Sequence, residues 1–217
     1  SKMNILAFNT STEKFSLAIF KKNKIVFFYS KILKKNYSKY LIPIIKDSLK
    51  KSKTKIEEIN TISLSLGPGS FTGIRLGIAA AKGLALPNNI NISGFSNMDL
   101  IINSLNKIKE NKILLLIKSK KNDYYYQIFN NKKKPLTKIS YFSDFIIPRF
   151  KKNEKILVAG DFDKNLKYKI KLRNKNKIFF IEKDYFNARN LINLSKLSKT
   201  MEKRIEPIYV YEHYAKK

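Results

Sequence analysis

The chain has 217 residues, a length that suits one or two domains with a substantial buried core. It carries 45 Lys+Arg against 16 Asp+Glu, a net charge of +29 that invites a nucleic-acid hypothesis. The lack of cysteine excludes disulfides and zinc–thiolate sites, and the single histidine, His213, nearly excludes a histidine triad or a multi-histidine metal site.

The charge leaves two explanations open. Lysine supplies 40 of the basic residues and arginine 5, and Asn, Ile, Phe and Tyr are also abundant. These residues share A/T-rich codons, so genome composition can explain the lysines, whereas lysine can also bind phosphate as a point charge. The longest apolar runs, such as Ile113–Ile117, are about five residues long and too short to span a bilayer. We therefore expect a cytoplasmic protein with no membrane partner.

The first half of the chain has an element order typical of one fold class. Ile5–Asn9, Phe15–Phe20 and Lys24–Ser30 are separated by polar residues at hairpin distances and predict an antiparallel meander. The elements that follow are helix Tyr37–Lys51, strand Thr61–Leu66, helix Phe71–Leu86 ended by Pro87 and Asn88, strand Ile90–Phe95, and helix Ser96–Leu105 capped by Ser96 and Asp99. This order favours a ribonuclease-H-like half, in which crossover helices add parallel strands to the meander.

The apolar pattern restarts at Asn106, where we place a domain boundary. Residues 1–105 carry 16 basic and 5 acidic residues, and residues 106–217 carry 29 and 11. The predicted elements of the second half are strands Ile113–Ile117, Tyr124–Phe129, Ile156–Ala159 and Ile178–Ile181, helix Ala188–Lys199 and an extended tail, Ile205–Tyr211. We expect an α/β fold with two ribonuclease-H-like lobes, residues 1–105 and a smaller, degenerate 106–217. Two such halves make up the actin-like ATPase (ASKHA) architecture.

Glycine is concentrated between the fourth strand and the helix after it. Five of the seven glycines, Gly67, Gly69, Gly73, Gly77 and Gly83, lie within seventeen residues. The Gly67–Ser70 loop precedes a helix N-terminus, where backbone N–H groups favour an anion. No lysine follows it in the Walker arrangement, so a P-loop is rejected. A phosphate contact and a tight turn that needs positive φ angles both remain possible.

Glycines inside the helix need a separate explanation. Gly73 and Gly77 are four residues apart, and each lowers helix propensity by about 1 kcal/mol relative to alanine. Ala80, Ala81 and Leu84 continue this side of the helix. A stripe of small residues lets another segment approach closely, and that segment can be the protein's own sheet or a partner chain.

One long motif runs from the loop into the helix: Gly67-Pro68-Gly69-Ser70-Phe71-Thr72-Gly73-Ile74-Arg75-Leu76-Gly77, followed by Lys82-Gly83-Leu84-Ala85. It resembles the signature of the TsaB family, the bacterial subunit of the tRNA threonylcarbamoyladenosine machinery. The resemblance extends to Ile5–Thr12, to Ser38–Leu49 with its Pro43, and to the tail residues Pro207–Val210.

The resemblance implies a non-catalytic subunit without catalytic or metal-binding residues. It would pair with the catalytic homologue TsaD, act with a TsaE-like ATPase and with tRNA, and form a homodimer when alone. The resemblance places dimerisation helices in the first lobe, and the expected interface residues are Tyr37, Tyr40, Leu41, Ile44, Gly73, Ile74, Arg75, Gly77, Ala81 and Leu84. No cofactor would be required, although ATP or ADP could bind at the complex interface. The candidate nucleotide or phosphate contacts are Asn9, Thr10, Gly67, Gly69 and Ser70.

Several polar positions depart from the family pattern. Asn9 replaces an aspartate usual in the first turn, Tyr37 replaces a histidine, and Lys118 lies near the position of an acidic residue in the second lobe. One histidine cannot supply the metal-binding His-x-x-x-His of the catalytic homologue. An autonomous ATPase or peptidase is the alternative. A general RNA-binding module, with tyrosines such as Tyr124–Tyr126 stacking on bases, is a third hypothesis.

Overall fold

The computed structural model describes residues 3–33, 36–120, 122–143, 148–175, 177–197 and 204–210. His213 lies outside these ranges, as do the ends of the predicted helix Ala188–Lys199 and of the predicted tail. The strands are β1 (Ile5–Asn9), β2 (Lys14–Lys21), β3 (Lys24–Ile32), β4 (Thr61–Ser65), β5 (Asn91–Phe95), β6 (Lys112–Lys118), β7 (Asp123–Asn130), β8 (Ser140–Ser143), β9 (Lys155–Asp161) and β10 (Lys177–Ile181). The α-helices are α1 (Tyr37–Lys51), α2 (Phe71–Asn88), α3 (Asn97–Ser104), α4 (Lys164–Arg173) and α5 (Ala188–Leu197), and a short 3-10 helix spans Ile56–Glu58.

The first sheet has the strand order β3-β2-β1-β4-β5. Strands β1 to β3 pair in antiparallel fashion, while β4 and β5 extend the sheet in parallel, with Phe8 opposite Leu64 and Leu64 opposite Gly94. Helix α1 connects β3 to β4, and α2 connects β4 to β5. The predicted meander with parallel strands added through crossover helices is confirmed.

Both faces of the first sheet are covered. Because successive strand residues point to opposite faces, β1 contributes to two separate clusters. Leu6 and Phe8 lie with buried residues of α1 and α2, whereas Ile5 and Ala7 lie with Leu191 of α5. The central strands are therefore buried on both sides, which explains their nearly continuous apolar sequence.

The position of α5 corrects the predicted boundary. We expected residues 106–217 to form the second lobe, but Phe186–Ile208 belong to the first compact unit together with the chain up to Leu100. Among the described residues, the second unit comprises Ile101–Tyr185 with Tyr209 and Val210. Helix α5 returns to the first sheet because its apolar face is buried there, and its Ser195 hydroxyl donates to Ser63 Oγ at 2.8 Å. Periodicity identifies a helix but does not say which sheet it covers.

The second unit repeats the strand order of the first. Its sheet runs β10-β9-β6-β7-β8, an antiparallel meander of β6 to β8 with β9 and β10 added in parallel. Helix α4 covers one face, where Leu166 and Ile170 lie with Leu114 and Val158. Strand β8 was not predicted, because four residues are too short to show a period. The predicted two-lobed ribonuclease-H-like α/β fold is confirmed.

The bounds of α1 and the cap of α3 agree with the predictions, whereas α2 extends beyond its predicted end. Ser96 and Asp99 form the predicted cap, since the Ser96 amide and hydroxyl donate to Asp99 Oδ2 at 2.9 and 2.7 Å. Helix α2 continues through Pro87 to Asn88 and ends where Asn89 adopts a φ of 51°. Pro87 removes only one helical N–H, so the last turn persists. No helix in the described ranges is long and apolar enough to cross a membrane.

Candidate functional site in the first turn and helix α2

The turn after β1 is polar in sequence and buried in the structure. Asn9, Thr10 and Ser11 follow an apolar strand, and all three are almost fully buried. Buried polar groups are stable only when they have hydrogen-bond partners, because water no longer solvates them. The partners of this turn therefore determine what it can bind.

Both ends of the Asn9 carboxamide are engaged. Its Oδ1 accepts hydrogen bonds from the Ser11 amide at 2.9 Å and from the Ser11 hydroxyl at 2.6 Å. Its Nδ2 donates to the carbonyl oxygen of Phe186 at 3.0 Å. Asn9, at the position where the resemblance implies an aspartate, thus fastens the turn to the segment that leads into α5.

Asn97, at the start of α3, is the second centre of this network. Its Nδ2 donates to Ser11 Oγ and to the Pro68 carbonyl oxygen, each at 2.8 Å, and its Oδ1 accepts from Ser65 Oγ at 2.8 Å. Neither Asn97 nor Ser65 was among the site residues predicted from the sequence. The available signal was their position, because both lie where parallel strands end at the edge that also holds Asn9.

Three glycines are explained by the first turn. A Cβ atom added to Gly69 would lie within 3.0 Å of the Ser11 carbonyl oxygen, and one added to Gly73 or Gly77 would lie that close to Thr10. The Thr10 hydroxyl also donates to the Gly73 carbonyl oxygen at 2.7 Å. The small-residue stripe therefore packs inside the protein, with its glycines against the first turn and Ala81 against the first sheet.

The Gly67–Ser70 loop is likewise occupied by internal contacts. Gly67 has a φ of +94°, which favours glycine, and its amide donates to Ser65 Oγ at 3.0 Å. The Ser70 amide donates to the Ser11 carbonyl oxygen at 2.7 Å, and Ser70 Oγ caps α2 by accepting from the Gly73 amide at 3.3 Å. These polar groups of the predicted phosphate loop therefore have partners within the fold, and a phosphate contact at the loop stays a prediction.

Tyr37 connects helix α1 to the same turn. Its hydroxyl donates to the carbonyl oxygen of Thr12, and its ring centroid lies 6.0 Å from that of Phe15. Burial raises the pKa of the Tyr37 hydroxyl well above its ordinary value, and the nearby Glu13 carboxylate adds to that increase. The hydroxyl therefore remains a donor at physiological pH, and α1, α2, α3 and the segment before α5 all hold one turn.

The predicted interface residues do not share one surface. Six of the ten are buried in the first unit: Tyr37, Leu41, Gly73, Ile74, Gly77 and Ala81. Ile44 and Leu84 are half-buried, and Tyr40 and Arg75 are exposed. This corrects the prediction for the buried six, since the apolar and small residues at that spacing face the protein's own core.

The exposed face of α2 contains Arg75 together with residues that were not predicted. Leu86 is 87% exposed and Phe71 is 52% exposed. A Cβ atom added to Gly83 would meet nothing within 4 Å, so internal packing does not explain this glycine. Helical spacing places Thr72, Arg75, Ala79, Gly83 and Leu86 along one outward ridge, which we call the α2 ridge. Exposed Tyr40 and Ile42 lie on α1.

Sequence comparison assigns the family. Residues 29–186 match the family model described as TsaD: tRNA N6-adenosine threonylcarbamoyltransferase. The tRNA threonylcarbamoyladenosine biosynthesis protein TsaB of Buchnera aphidicola subsp. Schizaphis graminum is 31% identical over 87% of this chain and 90% of that protein. The TsaB of B. aphidicola subsp. Baizongia pistaciae is 30% identical over 96% of this chain and 98% of that protein. The chain belongs to the TsaB family.

Solved structures support the same fold. YeaZ from Pseudomonas aeruginosa superposes with a TM-score of 0.74 at 15% identity, over 96% of this chain and 100% of that chain. A second P. aeruginosa structure, of a protein with similarity to peptidase YeaZ, gives a TM-score of 0.74 at 16% identity, with the same coverage. At this identity the likeness concerns the fold alone.

Three residues depart from the pattern that the resemblance implies, Asn9, Tyr37 and Lys118, and each forms a contact that stabilises the fold. Asn9 and Tyr37 hold the first turn, as described above. In the second unit Lys118 Nζ lies 2.9 Å from Asp163 Oδ2, and Asp163 Oδ1 caps α4 by accepting from the Leu166 amide at 2.9 Å. The Leu166 amide and then Lys118 lower the pKa of the Asp163 carboxyl. Among the described residues, no group of three His, Cys, Asp or Glu side chains could hold a metal ion.

Proposed function

We propose that this chain is a non-catalytic subunit of the machinery that forms threonylcarbamoyladenosine beside the anticodon of ANN-decoding tRNAs. Its partner would be a TsaD-like catalytic homologue. Membership of the TsaB family supports the pathway, because the relatives are named for tRNA threonylcarbamoyladenosine biosynthesis. The observation that carries the non-catalytic role is the first turn, where Asn9 and Ser11 are used to hold the fold together.

The chemistry of the turn favours this role over an autonomous ATPase or peptidase. A neutral carboxamide is a poorer ligand for a nucleotide-bound metal than the aspartate it replaces. The hydroxyls of Ser11 and Ser65 donate to carboxamide oxygens of Asn9 and Asn97, which cannot act as general bases. An activated serine needs a basic partner within hydrogen-bond reach. The described surroundings of these two serines offer none.

The α2 ridge, together with exposed Tyr40 of the neighbouring helix α1, is the proposed partner surface. Gly83 lowers helix propensity by about 1 kcal/mol without an internal contact to offset it, so the close approach of another helix gives it a reason. Burial of the exposed Leu86 side chain would contribute roughly 2 kcal/mol to association. In a homodimer the same surface would meet itself, and the homologous lobe of the catalytic partner would replace one copy.

The assembly test compares two Leu→Lys variants. Leu86→Lys places a charge in the proposed contact, and Leu136→Lys places one on an exposed leucine of the second unit. In size-exclusion chromatography with the TsaD-like homologue, we expect Leu86→Lys to weaken the complex at least tenfold and Leu136→Lys to leave it unchanged. The wild-type chain should restore threonylcarbamoyladenosine in cells depleted of their own TsaB. An intact Leu86→Lys complex would contradict the interface, and failure of the wild type to form a complex would contradict the subunit role.

The remaining partners follow from the same proposal. The chain alone would require no cofactor, because the Thr10 hydroxyl and the amides of Ser11 and Gly67 already have partners within the fold. ATP or ADP and a TsaE-like ATPase would join the assembled complex, which would act on tRNA in the cytoplasm. Calorimetric titration of ADP should give no heat of binding with the chain alone. Binding by the isolated chain that Asn9→Ala abolishes would favour the ATPase alternative.

A further inference from the structure

The second unit has a basic surface that the proposed subunit contact does not use. Helix α4 carries five basic residues and no acidic residue, and the sequence from Lys164 to Ile181 contains seven basic residues before the first carboxylate, Glu182. Strand β10, which follows α4, is the edge strand of the second sheet. The exposed side of α4 and this edge strand are called the α4–β10 face below.

The inward side of α4 is already occupied by the core. Leu166, Ile170 and Asn174 are buried, so the other residues of the helix form a broad outward surface. Tyr168 and Leu172 are one turn apart at its centre, 62% and 67% exposed. Helical spacing puts Lys164, Lys167 and Lys171 on one flank of this pair and Lys169 and Arg173 on the other.

On β10, Phe180 points to the side of the sheet that α4 covers, and Lys167 and Lys171 lie over its ring at 5.0 and 5.6 Å. Phe179 points to the opposite side of the sheet, with Lys177 over its ring at 5.6 Å. Lys167 also forms an ion pair with Glu182 at 3.1 Å. Aromatic rings between cations favour a ligand that offers both phosphate groups and flat bases.

We infer that the α4–β10 face binds the phosphate backbone of RNA, with Tyr168 available to stack on a base. This inference rests on the proposed function, which gives the chain a tRNA substrate to meet. An anionic membrane also attracts basic helices, but insertion needs a wide apolar face. Outward apolar residues on α4 are limited to Tyr168 and Leu172, because Leu166 and Ile170 are buried in the unit's own core.

The test measures binding of an unmodified tRNA transcript to the full chain by fluorescence anisotropy at about 50 and 200 mM salt. The test variant is Lys164→Gln/Lys171→Gln/Arg173→Gln. The matched control is Lys132→Gln/Lys134→Gln/Lys138→Gln, which removes the same charge from the loop between β7 and β8. We expect the test variant to bind about tenfold or more weakly at the lower salt, with the salt slope falling by roughly one for each phosphate that is no longer neutralised. The control should retain most of its affinity and of its salt slope.

Tyr168 gives an independent readout. Tyr168→Ala should lower affinity about fivefold without changing the salt slope, and Tyr168→Phe should retain binding, because stacking needs the ring and not the hydroxyl. Unchanged affinity of Tyr168→Ala would overturn the stacking contact. Equal decreases in affinity for the two triple variants would show that only net charge matters and would overturn the site.

Two further outcomes separate this inference from its alternatives. Vesicles of phosphatidylglycerol and phosphatidylcholine that bind the wild type and displace tRNA from it would overturn RNA as the occupant. The triple variants should still assemble with the TsaD-like homologue, because α4 lies outside the proposed subunit contact. Loss of tRNA binding with assembly intact supports the α4–β10 face, whereas a failure of assembly in the wild type counts against the proposed function and not against the face.

Discussion

The turn after β1 and the turn after β6 occupy equivalent positions in two sheets of the same strand order, but different interactions hold them. In the first unit Thr10 and Ser11 form hydrogen bonds with the start of α2 and the loop before it, through backbone atoms and a hydroxyl group. Glycines in the loop and the helix leave the space that this contact needs. In the second unit Lys118 reaches Asp163, at the N-terminus of α4, through an ion pair whose side chains are 39% and 37% exposed.

The difference separates what the shared topology determines, the position of the turn, from what the individual residues determine, the kind of interaction that holds it. The shared topology brings the first turn of each sheet to the start of a crossover helix. The residues then determine whether that meeting is buried and uncharged or exposed and electrostatic. A buried contact with a backbone carbonyl tolerates almost no added volume, whereas an exposed ion pair contributes little to stability and depends on pH and salt.

The largest expected effect is that of Gly73→Ala. The added Cβ would lie within 3.0 Å of the Thr10 carbonyl oxygen, a backbone atom that cannot rotate away. We expect the free energy of unfolding to fall by at least about 3 kcal/mol, even though alanine has the better helix propensity. Urea denaturation followed by circular dichroism measures the change.

The control for that experiment is Gly83→Ala on the outward side of the same helix. Its Cβ would meet nothing within 4 Å, so the variant should gain about 1 kcal/mol of stability from helix propensity alone. The same control should weaken assembly with the catalytic homologue if a partner helix approaches Gly83. Similar stabilities for the two variants would mean that the first turn does not hold α2 as described.

The sequence predicted the helices and strands better than the tertiary contacts that these elements make. The bounds of α1 follow from its 3.6-residue period, and the capping of α3 follows from the Ser96–Asp99 spacing. The sequence could not show which side of α2 faces inward, because glycine and alanine occur on both sides. Thr10 resolves the question in the structure, and it is more than sixty residues away in the chain. The contact of α5 with the first sheet is equally non-local, so no local pattern could reveal it.

A smaller effect is expected from Asn97→Ala. The variant leaves the hydroxyl of Ser65 and the buried acceptors at Ser11 and Pro68 without their partner. Since an unsatisfied buried polar group costs about 1–3 kcal/mol and some of these groups will find water, we expect a decrease in the free energy of unfolding of about 2 kcal/mol. Exposed Asn165→Ala is the matched control, with a change within about 0.5 kcal/mol. A decrease no larger than that of the control would show that Asn97 does not organise the turn.

The smallest effect on the free energy of unfolding is expected from Asp163→Asn in the second unit, and this effect depends on pH. Asp163→Asn keeps an oxygen to cap α4 but removes the charge that pairs with Lys118. The pKa of Asp163 is lower in the folded protein than in the unfolded chain, first through the Leu166 amide and then through Lys118. A lowered pKa means that the charge stabilises the fold at pH values above the unfolded pKa of about 4, and that this contribution is lost as the pH falls through the folded value. Because the pair is more than one third exposed, we expect a difference in the free energy of unfolding below about 1 kcal/mol at pH 7.

Thermal unfolding of the wild type and the variant from pH 7 to pH 3 should show the two stability curves converging at low pH. A constant difference would mean that the carboxylate acts by shape alone, and a difference as large as that of Asn97→Ala would mean that the second turn is as tightly held as the first.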